Sequence, residues 1–202
     1  MPGPGLPRRV LVAGTSGAGK TTLAARLAAL LDLPHTEIDG LFHGPGWTPR
    51  AEFLDDVRTL VAGERWVTEW QYRTARPLLL ERAELLVWLD LPPRVRMTQV
   101  VRRTMRRRRR RTVLWNGNVE PPLRTFWIDV DHIVRWAWRT RRTLDGLDEQ
   151  LAEQAPHLEV VRVRSHAEVE EWLTTLPRCG CTTRRVAEGP RGVSCTHSEG
   201  VG

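Results

Sequence analysis

Short apolar runs alternate along the chain with stretches in which apolar residues recur every three or four positions. The runs are four to six residues long, as expected of strands buried in a parallel sheet, and lie at 9–13, 35–38, 66–69, 85–90 and 159–164. The spacing typical of amphipathic helices is found at 20–31, 50–62, 76–83, 93–111, 126–143, 147–154 and 167–176. This alternation predicts an α/β fold built on a parallel sheet, with helices on both faces.

The 202 residues are the size of one domain, which we place at 8–176. Residues 1–7 are predicted to be a structureless leader, and 177–202, which have no periodicity, a disordered tail. The long stretch 93–155, between the fourth and fifth apolar runs, is where a lid or insertion would lie. No apolar stretch approaches the roughly 18 residues that a membrane span needs, so we expect a cytoplasmic protein with no membrane partner.

Positive charge is concentrated in one segment. The formal net charge is +7, yet residues 94–111 alone contain ten arginines and no acidic residue, so the rest of the chain is net negative. Lys20 is the only lysine, all other cationic residues being arginine or histidine. The setting of this lysine is therefore informative.

All three cysteines, Cys179, Cys181 and Cys195, lie in the predicted tail. An odd number with no partner in the body of the chain argues against a secreted disulfide framework. Together with His197 they offer four possible zinc ligands, but a C-x-C pair in a tail is weak evidence for zinc, and an inert tail is the favoured interpretation.

A glycine-rich motif follows the first predicted strand. Residues 14–21 (GTSGAGKT) match G-x-x-x-x-G-K-[ST] and precede an amphipathic helix, which is the context that a phosphate-binding loop requires. The glycines allow backbone amides to point at phosphate oxygens, and the helix dipole adds positive potential. Lys20 would bridge the β- and γ-phosphates of ATP, and Thr21 would hold Mg²⁺. The predicted nucleotide-binding residues are Gly14, Thr15, Ser16, Gly17, Ala18, Gly19, Lys20, Thr21 and Thr22.

Acidic residues end the second and third predicted strands. Ligands of open parallel sheets bind at the carboxyl ends of strands, so Asp39 would lie beside the phosphate loop, and strand alternation would place Glu37 on the same side. Asp39 is a candidate for gripping or deprotonating an acceptor hydroxyl, or it is a turn residue before Gly40. Glu69 is either a carboxylate that acts on Mg²⁺ or water, or a structural turn residue.

The arginine-rich segment has helical spacing at Arg102, Arg103 and Arg106. Guanidinium forks match the oxygens of a transferring phosphoryl group, so we predict a lid in which Arg102 and Arg106 act in catalysis and Arg103 binds the nucleotide. A solvated arginine face or a nucleic-acid patch is the alternative for the run at 106–111.

Several segments together resemble the DNA topology modulation proteins, a P-loop family related to adenylate kinase. The likeness extends from about residue 8 to residue 176 and is carried by residues 38–47, 88–92, 102–107, 114–120 and 135–142. It implies a nucleoside monophosphate kinase fold, with a five-stranded parallel sheet and a mobile arginine-rich lid. One segment departs from the family: its W-V-x-D-G-N-Y run is WVTEWQY here, in which Glu69 keeps the acid and Trp70 replaces a glycine.

The same resemblance assigns the loop to ATP and Mg²⁺, Asp39 to the acceptor side, and the three arginines to the lid. It also nominates Ser165 and His166, after the last strand, as neighbours of adenine. Asn116 and Asn118 would pin the lid loop or touch phosphate, or would only form a turn. Three tryptophans are more simply explained as the packed core of a helical hairpin than as a platform on which bases stack: Trp127, Trp136 and Trp138.

These motifs predict ATP- and Mg²⁺-dependent phosphoryl transfer to a small acceptor, either a nucleoside monophosphate or a small hydroxyl compound. Catalysis would consist mostly of positioning and charge neutralisation. The alternative is a P-loop ATPase or regulatory nucleotide-binding protein that acts on DNA or on a partner protein, with nucleic acid as the second choice of partner.

Overall fold

A computed structural model of the chain describes residues 6–109, 114–118, 144 and 146–176. Its strands are β1 (Arg9–Gly14), β2 (Trp66–Glu69), β3 (Leu85–Leu89) and β4 (Glu159–Val163). Its helices are α1 (Lys20–Leu31), α2 (Ile38–Phe42), α3 (Phe53–Ala62), α4 (Arg76–Arg82), α5 (Pro93–Arg109), α6 (Leu147–Gln154) and α7 (His166–Thr175), with 3-10 turns at Pro45–Trp47 and Trp115–Gly117. The predicted helix at 126–143 and the predicted tail lie outside the described residues.

The four strands form one parallel sheet in the order β2-β1-β3-β4. The central strand β1 is apolar at consecutive positions because the sheet is covered on both faces. Leu11 packs in the core on one face, whereas Val10 and Val12 pack in the core on the other. The predicted parallel α/β architecture is confirmed. None of the described helices is long and apolar enough to cross a membrane.

The apolar run at 35–38, expected to be a strand, is reduced to a single bridge. His35 pairs with Val67 of β2, and the chain then turns into α2. The amide of Ile38, where a strand would continue, donates instead to the buried carboxylate of Glu69 at 3.1 Å. The described part of the sheet therefore has four strands instead of five. The strand alternation that was expected to put Glu37 and Asp39 on one side does not apply.

Candidate active site

The phosphate-binding motif forms a tight loop between β1 and α1. Gly17 and Gly19 have φ angles of +79° and +92°, a left-handed conformation that glycine adopts without strain. The amide of Ala18 donates to the carbonyl oxygen of Thr15 at 3.2 Å, and Lys20 Nζ donates to the same oxygen at 3.3 Å. This conformation, immediately before a helix N-terminus, is that of a backbone nest for anions.

Helix α5 packs directly on this loop. A Cβ atom on Gly17 would lie 2.5 Å from the carbonyl oxygen of Arg96 and would overlap the side chain of Val100, so only glycine permits this contact. The guanidinium of Arg96 donates to the hydroxyl of Thr15. Arg96 was not among the predicted site residues, because it lies apart from the dense arginine run and nothing in its local sequence distinguishes it.

Lys20 is surrounded by charged side chains from four parts of the chain. Burial lowers its pKa from 10.5 to about 8, against the opposing effect of the Asp39 and Glu69 carboxylates. The positive charges of Arg103 and Arg76 add to the lowering. The fold thus brings four of the predicted site residues into one electrostatic environment, together with Arg76, which the sequence did not single out.

Glu69 is fully buried at the end of β2. Its Oε1 lies 3.6 Å from Nε2 of His35. Burial opposes ionisation of the carboxyl, yet contact with His35 and hydrogen bonds from the Ile38 amide and the Thr21 hydroxyl outweigh it, so the pKa of Glu69 lies below its ordinary value.

An ionised carboxylate beside the Thr21 hydroxyl suits Mg²⁺, which prefers oxygen ligands. No three His, Cys, Asp or Glu residues in the described ranges are grouped so that they could hold an ion by themselves. An ion at Thr21 and Glu69 would therefore take its remaining oxygens from phosphate and water.

Asp39 is oriented by two donors from the connection between β2 and α4. Its Oδ1 accepts hydrogen bonds from Gln71 Nε2 at 3.0 Å and from the Tyr72 hydroxyl at 2.7 Å. That hydroxyl also lies 3.2 Å from Nε2 of His43. Burial, with the charge of Asp39, raises the pKa of Tyr72 far above its ordinary value, so the phenol stays protonated and donates. Glu37 instead turns away, and its carboxylate accepts from the Trp115 indole at 3.0 Å.

The turn at 114–118, which we call the clamp, lies on the segment that contains α2. Trp115 covers Gly40 so closely that a Cβ atom there would be 2.9 Å from the indole Cδ1. The indole ring also stands edge-on to that of Trp47, with 6.5 Å between centroids. An aromatic wall thus lies beside Gly40, the residue that follows Asp39.

Two asparagines fasten the clamp. Asn118 is buried; its Nδ2 donates to the carbonyl oxygen of Gly44 at 2.9 Å, and its Oδ1 accepts from the amide of Trp47 at 3.1 Å. Asn116, in a left-handed conformation within the turn, donates to the carbonyl oxygen of His43. The asparagines therefore both shape a turn and pin it to residues 43–47, which follow α2.

The other predicted residues are less closely grouped. Arg103 is half-buried and influences Lys20, whereas Arg102 and Arg106 are exposed. The Ser165 hydroxyl caps α7 by accepting from the Glu168 amide at 3.1 Å, and His166 contacts a glutamine of α5. The roles of these residues toward a nucleotide remain predictions.

The sequence matches no known protein-family profile and no curated protein. Among solved structures, the chain is similar to a gluconokinase from Sinorhizobium meliloti 1021, with 18% identity over 82% of this chain and 89% of that one and a TM-score of 0.48. A shikimate kinase from Bacteroides thetaiotaomicron has 14% identity, covering 83% and 95%, with a TM-score of 0.48. A sugar kinase from Janibacter sp. HTCC2649 has 22% identity, covering 83% and 92%, with a TM-score of 0.44. Likeness at this level does not define an activity, which has to follow from the residues of the site itself.

Proposed function

We propose that the protein is a kinase that transfers the γ-phosphoryl group of Mg-ATP to a small acceptor, a nucleoside monophosphate or a small hydroxyl compound. The observation that carries this proposal is the environment of Lys20. Its ammonium group lies at the phosphate loop and within the field of Asp39, a carboxylate that two hydrogen bonds orient. In a nucleotide hydrolase such a carboxylate would instead orient an attacking water, so the dependence of turnover on an acceptor distinguishes the two functions.

Phosphate binding would rest on the backbone nest and on Lys20, which neutralises charge on the γ-phosphate as it moves. Thr21 and Glu69 would hold Mg²⁺, which when bound neutralises further phosphate charge. Arg96 holds the loop through Thr15, and Arg103 extends positive charge toward Lys20. We propose that Arg102 and Arg106 contact the phosphates when α5 closes as a lid over bound nucleotide.

Asp39 would hold the acceptor. The two hydrogen bonds on its Oδ1 come from Gln71 and Tyr72, and within the described residues its Oδ2 takes no hydrogen bond. With a hydroxyl acceptor, Oδ2 would take the hydroxyl proton while the acceptor oxygen bonds to the γ-phosphorus and the bond to ADP breaks. With a nucleoside monophosphate no base is needed, because the attacking phosphate is already an anion.

The test is ADP formation from Mg-ATP with a panel of nucleoside monophosphates and small hydroxyl compounds. We expect at least one acceptor to stimulate turnover and to be recovered in phosphorylated form. ADP formation that is indifferent to every acceptor and accelerated by DNA would favour the alternative, a P-loop ATPase acting on nucleic acid.

A further inference from the structure

Arg76 is a half-buried arginine with no carboxylate partner in the part of the chain that the structure describes. Two other half-buried arginines do have one: Arg9 pairs with Glu84, and Arg50 with Asp56 at 2.8 Å. Arg76 is instead stacked on an aromatic ring, and its buried Nε makes no hydrogen bond. Burial of a charge is costly unless the charge is paired, so an unmatched guanidinium beside a candidate active site points to a charged ligand.

The ring beneath Arg76 is Trp70, the residue that departs from the resembling family. Its side chain is buried at 1% exposure, and the Arg76 Cζ lies 4.2 Å from the ring centroid. A guanidinium held over an indole loses little further freedom when it binds, and its fork matches the two oxygens of a carboxylate or phosphate. Trp70 therefore does not occupy the acceptor side; it presents Arg76 there.

Arg76 belongs to the acceptor side because it begins α4, directly after the connection that orients Asp39. Its amide donates to the carbonyl oxygen of Tyr72 at 3.1 Å, and the hydroxyl of that tyrosine donates to Asp39. This connection follows β2, which lies on one side of β1 in the sheet. Arg96 and Arg103 come from α5, which follows β3 on the other side of β1. The positive charge of Arg76 nonetheless reaches Lys20.

We propose that Arg76 binds an anionic group of the acceptor, so that the substrate is a small compound carrying a carboxylate or a phosphate rather than a neutral polyol. This inference rests on the proposed kinase function and specifies its substrate class. Burial, together with the nearby charge of Arg73, already disfavours the charged form of Arg76, and an incoming anion would relieve that cost.

The first test compares related acceptors with and without an anionic group: glycerol, glycerate and glycerol 3-phosphate, and a nucleoside beside its monophosphate. We expect kcat/KM for at least one anion to exceed that of its neutral counterpart by at least tenfold, and the carboxylate and phosphate arms show which anion is preferred. A neutral compound that matches its anions would overturn the inference while leaving the kinase proposal intact.

The second test is independent of turnover. The phosphate loop is first filled with a non-hydrolysable ATP analogue and Mg²⁺, and inorganic phosphate is then titrated by calorimetry into wild type, Arg76→Gln and Arg82→Gln. Arg82 is the matched control, because it is exposed at the other end of α4 and its replacement makes the same change of charge. We expect Arg76→Gln to bind phosphate at least tenfold more weakly and Arg82→Gln to resemble wild type.

Equal phosphate binding by all three proteins, or none by wild type, would overturn the inference. If Arg76→Gln does not fold, Arg76→Lys replaces it in the titration. This variant keeps the positive charge but loses the guanidinium fork, so it should bind phosphate with intermediate affinity. If phosphate binds through Arg76 but no compound stimulates ADP formation, the anion site stands and the proposed kinase function fails.

Discussion

The phosphate loop and the proposed acceptor side of the site are built by different kinds of contact. The loop is one continuous segment between a buried strand and a helix, and it is covered where α5 packs on Gly17. The acceptor side is assembled by hydrogen bonds between distant residues, such as Asp39 with Tyr72, 33 positions apart, and Gly44 with Asn118, 74 positions apart. One region depends on backbone conformation and the other on individual side chains.

This difference has a functional meaning. Phosphate groups are the same in every nucleotide, so a backbone nest with one lysine is sufficient to bind them. Acceptors differ in shape and charge, and a surface of separate side chains can be altered one residue at a time. Substitutions should therefore act on both substrates when they fall in the loop and on the acceptor alone when they fall on the other side.

The largest effect is expected from Lys20→Ala. Turnover should fall by roughly three orders of magnitude, because the ammonium group stabilises charge that develops during transfer. The fold should survive, since within the described residues the lysine makes a single hydrogen bond and its buried charge is disfavoured. Steady-state ADP formation and a thermal melt measure the two quantities. Unchanged turnover in a folded variant would show that the loop is not the active site.

A substitution at Asp39 separates the two regions. With a responsive hydroxyl acceptor, Asp39→Asn should reduce phosphoryl transfer about 100-fold, the usual contribution of a general base, while ATP affinity stays near that of wild type. Glu37→Gln is the control, since Glu37 lies two positions away and contacts Trp115. If the Asp39→Asn variant loses ATP binding and transfer equally, Asp39 acts with the metal ion instead.

The clamp should respond to Asn118→Ala. This change leaves the buried Gly44 carbonyl without its partner and should lower the free energy of unfolding by about 2 kcal/mol, the range for an unsatisfied buried polar group. We also expect the acceptor KM to rise while the ATP KM is unchanged, because the clamp contacts the acceptor-side segment. Asn116→Ala, at an exposed position, should have a smaller effect on both quantities. A rise in both KM values would tie the clamp to nucleotide binding.

The smallest effect is a pH dependence of nucleotide binding. Because the pKa of Lys20 is about 8, its charge is present below pH 8 and is lost as the pH rises through that value, so ATP affinity should fall about tenfold between pH 7 and pH 9. Calorimetry in buffers of different ionisation enthalpy should detect proton uptake on binding near pH 8.5. Lys20→Arg, which stays charged, should show neither effect, and an equally steep profile in that variant would assign the titration to another group.

Local sequence was enough to predict the phosphate loop and most helices. The motif at 14–21 specifies the backbone conformation of the loop, although α5 packs on it from outside the segment. Helix α6 spans residues 147–154 as its periodicity predicts. Residues 10–13 of β1 and all of β3 are buried apolar runs, which the absence of polar positions indicates directly. In such regions the neighbours that determine the structure are also neighbours in sequence.

The acceptor side could not be predicted in the same way. The expected second strand stops early because the Ile38 amide donates a hydrogen bond to the carboxylate of Glu69, 31 positions away in sequence. The partners of Asp39 come from a connection that carries no motif, and the one available signal was that Tyr72 is the only tyrosine of the chain. Arg76 was one of thirty arginines in the sequence, and only its burial on Trp70 sets it apart.

The solitary Lys20 also makes the protein unusually simple to modify chemically. Acylating reagents attack uncharged amines, and at pH 8 about half of this side chain is in the reactive form, whereas an ordinary lysine with a pKa near 10.4 is almost wholly protonated. Apart from the α-amino group, the chain contains no competing amine. The α-amino group has a similar pKa, so a fluorescent ester should label both amines; peptide mapping separates the two products, and a bound nucleotide should lower the yield at Lys20 alone.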